Sequence, residues 1–520
     1  MGLWSAYFFS KLLLYAAGYI GFAPWLNLLF AVFTALPTRN ARQRVVKNVF
    51  AVPIGIALLY HDSWLPPVDR VLSRAQNVAS FTVPYLIELL GRFINWRVLA
   101  ALAVMLAVYD LARRKLRMST FVFVGILITI LAPESGLLLV PKISSNPVAP
   151  AGTYTAPDPR SMSPKQLDEL LSAFYEAERS RQVAYRQGQQ TAEPYDILLV
   201  HVCSLSWDDL EAVRFTGNAL FDRFDILFAA FDSAASYSGP AAIRLLRGNC
   251  GATTHQGLYS PARPECLVID GLQNAGFEPH WLMNHDGHFG NFLDDVSERA
   301  AFPAAPENPA EAAVAQRSFD DSPIYDDYSV LSRWWRERAA NPAPRVVLYY
   351  NTISLHDGNK AQGDHASSSY AARLARFTND MSRVLDELGK SGRRMIVLFV
   401  PEHGAAVRGD RRQIPGLREI PTPAITRVPV GVVLLNAAQS PARVQQRVDT
   451  PTSYLALSEL LSRFLTDDPF EKTTDLAAYA TNLPSSEPVA ENDGTVIMRV
   501  GNDYMMRTPD GEWSHWAAAR

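Results

Sequence analysis

The pattern of apolar and polar positions divides the chain in two. Over the first 140 residues apolar positions run together in five stretches, about 4–22, 23–37, 49–61, 96–112 and 119–140. A helix that crosses a bilayer needs about 17–25 mostly apolar residues. The first, fourth and fifth stretches meet that length; the second and third are shorter and carry Pro24 and Pro53. From residue 194 the texture changes to short β-rich runs: 196–202 (DILLVHV), 224–231 (FDILFAAF), 345–351 (RVVLYYN), 395–400 (MIVLFV) and 430–435 (VGVVLL). Near-continuous apolar runs of this length predict strands covered on both faces. Between two of them, Leu374, Phe377, Met381, Val384, Leu385 and Leu388 recur at helical spacing, and Gly389 predicts the stop. Strands alternating with helices predict an α/β/α sandwich. The stretch 301–315 (AFPAAPENPAEAAVA) reads as a surface insertion, and 495–508 as a hairpin turning at Gly501-Asn502-Asp503.

Between the two regions, residues 141–160 are rich in Pro, Ala, Ser and Thr and read as an extended tether. Ser163-Pro164-Lys165-Gln166 then has the form of a capping box with proline at the first helical position, opening a charged helix to about 185. The predicted organisation is a helical transmembrane domain over 1–140, a linker with a short helix over 141–192 and a soluble domain over 193–520.

Charge sharpens this picture. Of the first 140 residues 18 are charged, against 83 of the other 380, which excludes both a purely soluble enzyme and a transporter running the whole length. With a formal net charge of −3, nothing suggests a general nucleic-acid binder. Arg39, Arg42, Arg44 and Lys47 form one basic cluster, and Arg113, Arg114, Lys115 and Arg117 a second; both predict cytoplasmic loops. Five spans then put the N-terminus inside and everything beyond residue 140 outside. The loop 62–95 is also outside, and its segment 78–94 suits the membrane interface. If one weak stretch is re-entrant, the soluble domain changes side. Lys11, inside the first stretch, either snorkels or faces neighbouring helices. An uncharged start without a small-residue cleavage site argues against a removable signal peptide.

In open α/β sheets ligands bind beyond the carboxyl ends of the strands. After the first predicted strand comes Cys203-Ser204-Leu205-Ser206, and after the second Asp232 to Pro240, with Ser238 opening a short helix to Arg247. After the third comes His356-Asp357, and after the fourth Glu402-His403-Gly404. A thiol, hydroxyls, imidazoles and carboxylates at four strand ends make a set suited to a metal and a nucleophile. Singly, each has an ordinary reading: a buried small hydrophobe, a helix cap, a turn, a loop. Together, after four strands, they point to a site. There are three cysteines. Cys250 and Cys266, sixteen apart, suit a loop staple of about 3 kcal/mol, which leaves Cys203 for thiolate coordination; pairings of Cys203 with either remain open.

The motifs CSLSW (203–207), SAASYSGPAAIRLLR (233–247), LHDGN (355–359), PEHG (401–404) and GDRRQIPGLREIP (409–421) give the chain a resemblance. So do GYIGFAPWLNLLFA (18–31) and VPIGIALLYHDSWLP (52–66) in the first region. It resembles membrane-bound phosphoethanolamine transferases of the alkaline-phosphatase/sulfatase superfamily, and within them the bacterial cellulose phosphoethanolamine transferases. Lipid A-directed relatives have a carboxylate where this chain has Cys203 and threonine where it has Ser238; the cellulose branch has cysteine and serine. The resemblance implies a catalytic domain of alkaline-phosphatase type and Zn2+ held by Cys203, Ser238, Glu402 and His403. It implies Ser238 as nucleophile, Tyr237, His356 and Arg418 as substrate contacts, and a Cys250–Cys266 disulfide. It also implies a phosphatidylethanolamine donor, a cellulose acceptor, other cellulose synthase subunits as partners, and an inner-membrane protein with its catalytic domain in the periplasm. A surface ion pair with Glu419 is the competing expectation for Arg418. At the level of function the alternatives are transfer of phosphoethanolamine or glycerol phosphate to another envelope glycan or lipid, and a non-catalytic membrane subunit.

Overall fold

The computed structural model of the chain describes residues 3–17, 19–63, 81–93, 96–131, 159–185, 193–215, 219–309, 311–410, 412–437, 444–471 and 475–516. Most of the expected tether lies outside these residues. The chain divides into a helical unit and an α/β unit.

The N-terminal region holds α1 (Leu3–Ala16), α2 (Pro24–Ala35), α3 (Ala41–Asp62), α4 (Val83–Phe93), α5 (Trp96–Ala112) and α6 (Met118–Leu131). Among the described residues α3 alone is long and apolar enough to cross a membrane; α2, residues 99–112 of α5, and α6 are apolar but shorter. The hydrophobic pattern predicts five spans. The first stretch yields a helix of 14 residues, and the fifth one of 14 residues before the described chain breaks off. The start of α3 also differs from the expected loop. Asn40 caps it by accepting from the Gln43 N–H, so Arg42, Arg44 and Lys47 fall inside the helix, which continues through Pro53. Lys11 faces its neighbours: its Nζ lies 2.7 Å from Asp62 Oδ2 and 2.8 Å from Asn27 Oδ1, all three buried. On α4, Val83, Ile87 and Leu90 are exposed at helical spacing.

The α/β unit is built on seven strands: β1 (Asp196–Val202), β2 (Ile226–Asp232), β3 (Glu278–Met283), β4 (Val346–Thr352), β5 (Met395–Pro401), β6 (Arg427–Leu435) and β7 (Gln446–Val448). Their order is β7-β2-β6-β5-β1-β4-β3. Pairing is parallel except at β6, which runs against both β2 and β5. Val202 stands opposite Thr352 on one side and Pro401 on the other, so β1, β4 and β5 end in register. The ends of β1, β2, β4 and β5 thus share one edge, with β6 interposed between β2 and β5.

Alternation along the strands fills two cores, because successive side chains point to opposite faces. Ile197, Leu199, Tyr349 and Leu398 pack on one face under α9 (Ser238–Leu246), α10 (Val268–Asn274) and α13 (Tyr454–Thr466). Leu198, Val200, Leu348 and Phe399 pack on the other under α11 (Asp327–Ala340) and α12 (Tyr370–Lys390). The α/β/α sandwich is as expected. The capping box at Ser163 forms at the start of α7 (Pro164–Arg179), although α7 ends earlier than residue 185. Gly389 lies inside α12; the helix stops at Ser391, before Gly392 with φ +73°.

The insertion at 301–315 is not purely superficial. Phe302 is buried against Trp281, and the Glu307 N–H donates to the Trp281 carbonyl at 2.8 Å, stitching the segment to β3. The hairpin forms, with Gly501 at φ +62°, inside a four-stranded antiparallel sheet spanning Val489–Asn492, Thr495–Val500, Asp503–Arg507 and Trp513–Trp516. Cys250 and Cys266 form a disulfide, and Cys203 is free and buried.

Candidate active site

Each strand end delivers its side chain by ordinary local chemistry. Beyond Val202 the chain keeps its parallel pairing for one more step, as the Cys203 N–H donates to the Thr352 carbonyl. This holds the thiol at the sheet edge. Ser206 then caps α8 (Trp207–Ala212) in a capping box with Asp209. Beyond β2, the Ala234 N–H closes a turn on Asp232 Oδ1 at 2.8 Å, and α9 starts at Ser238. Beyond β5 come Glu402 and His403, both fully buried. The following loop is held by Asp209, which accepts from the Ala405 N–H at 2.6 Å and the Val407 N–H at 3.1 Å. Gly404 has no room for a side chain: a Cβ there would stand 2.6 Å from Ser206 Oγ.

These elements bring the four expected metal ligands together. Cys203 Sγ lies 3.6 Å from Ser238 Oγ and 3.9 Å from His403 Nε2, and His403 Nε2 is 3.7 Å from Glu402 Oε2. The donor atoms of Cys203, Glu402 and His403 all lie within 4.8 Å of one another. Zinc–ligand bonds of about 2.0–2.3 Å in tetrahedral geometry separate ligand atoms by roughly 3.3–3.8 Å, so small movements would close the set.

The electrostatics point the same way. Glu402 Oε2 is buried without a hydrogen-bond partner. Burial raises the Glu402 carboxyl, opposed by Ser238, Asn351 and Cys203 beside it. Burial, then the charge of Glu402, pushes the Cys203 thiol up to about 12. A thiol and a carboxyl packed together in a dry site, both reluctant to ionise, are groups whose charged forms a divalent cation favours. His403 Nδ1 lies 2.9 Å from the Gly404 carbonyl. A carbonyl only accepts, so Nδ1 carries the proton and Nε2 turns its lone pair into the space between Cys203 and Glu402. The residues therefore fit a metal ion.

The remaining expected residues surround this centre. His356 is partly buried and stacks near Phe319 at 5.4 Å between ring centroids. Its Nδ1 donates to the Asp357 carbonyl at 2.7 Å, leaving Nε2 as the acceptor. Burial, then the Arg418 charge, pushes this imidazole down to about 4. Arg418 is buried, contrary to a surface ion pair with Glu419. It donates to Ser204 Oγ at 3.2 Å, its guanidinium lies 5.6 Å from the Tyr237 ring centre, and its Nε has no hydrogen-bond partner. Glu419 is engaged by the Tyr237 hydroxyl at 2.7 Å.

Sequence reading missed the residues that orient the ligands. The Gly287 N–H donates to His285 Nδ1 at 3.0 Å, so His285 Nε2 donates to Asn351 Oδ1 at 2.8 Å. Asn351 Nδ2 in turn donates to Glu402 Oε1 at 2.6 Å. His201, fully buried, lies 3.5 Å from the same carboxylate oxygen and 3.0 Å from the Tyr349 hydroxyl. The signal was present: a histidine inside DILLVHV and an asparagine closing RVVLYYN are polar breaks in apolar runs.

The sequence matches the family described as cellulose biosynthesis protein BcsG C-terminal domain over residues 153–513, and the corresponding N-terminal domain over residues 4–131. It is 37% identical to the cellulose biosynthesis protein BcsG of Escherichia coli K12 over 540 residues, covering 98% of this chain and 95% of that protein. To BcsG of Salmonella typhimurium it is 38% identical over 534 residues, with the same coverage of 98% and 95%. Among solved structures, it is similar to the integral membrane lipooligosaccharide phosphoethanolamine transferase A (EptA) of Neisseria meningitidis. That likeness has 13% identity, a TM-score of 0.42 and coverage of 89% of this chain and 95% of that one. The C-terminal periplasmic domain of EptC from E. coli gives 14% identity, a TM-score of 0.41 and coverage of 60% and 93%.

Proposed function

The chain belongs to the BcsG family of cellulose biosynthesis proteins, and from that premise we propose that it transfers phosphoethanolamine from phosphatidylethanolamine to glucose hydroxyls of nascent cellulose. The 6-hydroxyl, being primary, is the expected acceptor. One observation carries the reading: Cys203, Ser238, Glu402 and His403 converge where the nucleophile's helix begins, and Glu402 Oε2 lies buried without a partner. Cys203, Ser238, Glu402 and His403 would hold zinc, which thiolate ligation favours. Zinc at this position supplies a lowered pKa for the serine hydroxyl and positive charge beside the phosphate.

The chain's own residues do the rest. Ser238 Oγ attacks phosphorus as the bond to the glycerol oxygen breaks; diacylglycerol leaves carrying the proton, and a phosphoethanolamine ester remains on Ser238. The start of α9 offers backbone N–H groups to phosphate oxygens. Arg418, with a spare Nε–H, offsets their charge, and Tyr237 supports its guanidinium from below. The sugar hydroxyl then attacks phosphorus, the bond to Ser238 breaks, and the proton passes to the serine oxygen. His356 is neutral near pH 7, so it serves here as base through Nε2. Its lowered pKa leaves it unprotonated, and so without a proton to give in the first step, until the phosphodiester's negative charge is beside it.

A lipid donor requires a membrane address. Five N-terminal spans with basic loops inside would put the α/β unit in the periplasm, and other cellulose synthase subunits are the natural neighbours. The test supplies the protein with phosphatidylethanolamine and cello-oligosaccharide. Glucan bearing phosphoethanolamine is expected with the wild type and absent with Ser238→Ala; unmodified glucan alongside a modified envelope lipid or other glycan would overturn the acceptor.

A further inference from the structure

Gly239 follows the serine nucleophile, and the space its side chain would occupy is taken by another residue. A Cβ built there would stand 2.0 Å from Asp295 Oδ2 and 3.1 Å from Asp295 Cγ. The Asp295 carboxylate therefore lies against the first turn of α9, in a space that any other residue at 239 would close. Asp295 opens a π-helical turn, Asp295–Arg299. Such turns are rare and are frequently found at functional sites.

Asp295 as a residue is 8% exposed. Among the described residues it makes no hydrogen bond and no close ion pair. The opposite charge that reaches it belongs to Arg299, whose guanidinium is turned to the Tyr259 carbonyl at 3.5 Å. Burial pushes the carboxyl up to about 6. A carboxylate serving only the helix dipole would bond the free N–H groups of the first turn, and this one does not. A largely buried carboxylate without a partner is stabilised when a cation completes the site.

We propose that Asp295 is the ammonium subsite of the active site, receiving the positive end of the phosphoethanolamine group whose phosphorus is taken up by Ser238. The proposal rests on the transfer reaction proposed above and adds to it the group that selects the headgroup. The ammonium hangs from the phosphate on a two-carbon arm, and the Asp295 carboxylate lies against Gly239, the residue after the nucleophile. A headgroup without the amine leaves the carboxylate buried and unpaired, and a site built to pair a polar group discriminates strongly against an analogue that lacks it.

The test uses the full chain in detergent, loaded with zinc, and two chromogenic phosphodiesters. These are p-nitrophenyl phosphoethanolamine and its amine-free isostere, propyl p-nitrophenyl phosphate. Release of p-nitrophenolate reports attack by Ser238. The wild type is expected to prefer the amine-bearing ester in kcat/KM by about a hundredfold. Asp295→Asn is expected to cut that preference at least about tenfold, mainly through KM, with zinc content and melting temperature checked in parallel. An unchanged preference in Asp295→Asn, with both esters slowed alike or neither slowed, overturns the subsite. If Asp295→Asn does not fold, the wild-type preference decides, and equal rates on the two esters overturn the subsite while leaving the transfer reaction intact. A zinc-loaded wild type inert on both overturns the transfer reaction, and the subsite falls with it.

Discussion

Asn351 donates from Nδ2 to Glu402 Oε1 at 2.6 Å and leaves Oε2 of the same carboxylate buried and without a hydrogen-bond partner. One oxygen is fixed so that the other can face Cys203 and His403. Because His285 donates to Asn351 Oδ1, the amide cannot flip without losing both bonds. Partners that orient a ligand tune metal affinity by about 10–100-fold. Asn351→Leu should therefore weaken zinc binding by that factor in competition with a chelator, while His285→Ala should weaken it less. Unchanged affinity in Asn351→Leu would mean that the carboxylate is held by other contacts.

Tyr237 separates ring from hydroxyl. Its ring lies beneath Arg418, and its hydroxyl engages Glu419. Tyr237→Phe keeps the ring and should lower kcat/KM by no more than about 10–150-fold, since a hydrogen bond to a charged group is worth about 1.5–3 kcal/mol at most. Tyr237→Ala removes the support of the guanidinium and should cost clearly more. Equal losses in steady-state transfer assays would place the role in the hydroxyl instead.

His201 makes stability depend on pH. Burial pushes its imidazole down to about 3, whereas an unfolded histidine titrates near 6.5. Between those values the unfolded chain binds the extra proton, so the contribution is complete above about pH 6.5 and is lost as pH falls. By pH 5 the loss reaches about 2 kcal/mol. Melting temperatures of the metal-free protein and of His201→Leu should converge, or cross, as pH is lowered from 7.5 to 5. A constant gap would show that His201 is protonated in the folded state.

The disulfide closes the segment that follows α9, joining Cys250 and Cys266 at a sequence separation of 16. Replacing both with serine should cost about 3 kcal/mol in the chain-entropy account and lower the melting temperature. Zinc stoichiometry should not change, because Cys203 is the free thiol. Loss of zinc in the double variant would tie the staple to the site itself.

Much of the α/β unit was legible because its central strands are continuous apolar runs that only a sheet covered on both faces accommodates. β3 was not legible, since EPHWLM mixes proline, histidine and glutamate at the sheet edge and is completed by contacts from Glu307 and Phe302 far along the chain. The candidate ligand set was legible as residues just past strand ends. Their orientation was not, because His285, Asn351 and Glu402 come from three strands and meet only in the fold. Asp295 gave no local signal either; it becomes visible when Gly239 is seen to make room for it. In the N-terminal region, hydropathy marks where apolar helices lie but does not set their ends, as the Asn40 cap on α3 demonstrates.

The central claim is that Ser238 carries phosphoethanolamine between donor and acceptor. Intact-mass analysis of the zinc-loaded full chain, incubated with a short-chain phosphatidylethanolamine and no acceptor, tests it most directly. The account predicts a mass gain of one phosphoethanolamine group in the wild type, lost on adding cello-oligosaccharide and never formed by Ser238→Ala. The same adduct in Ser238→Ala, or none in a wild type that still modifies glucan, would contradict it.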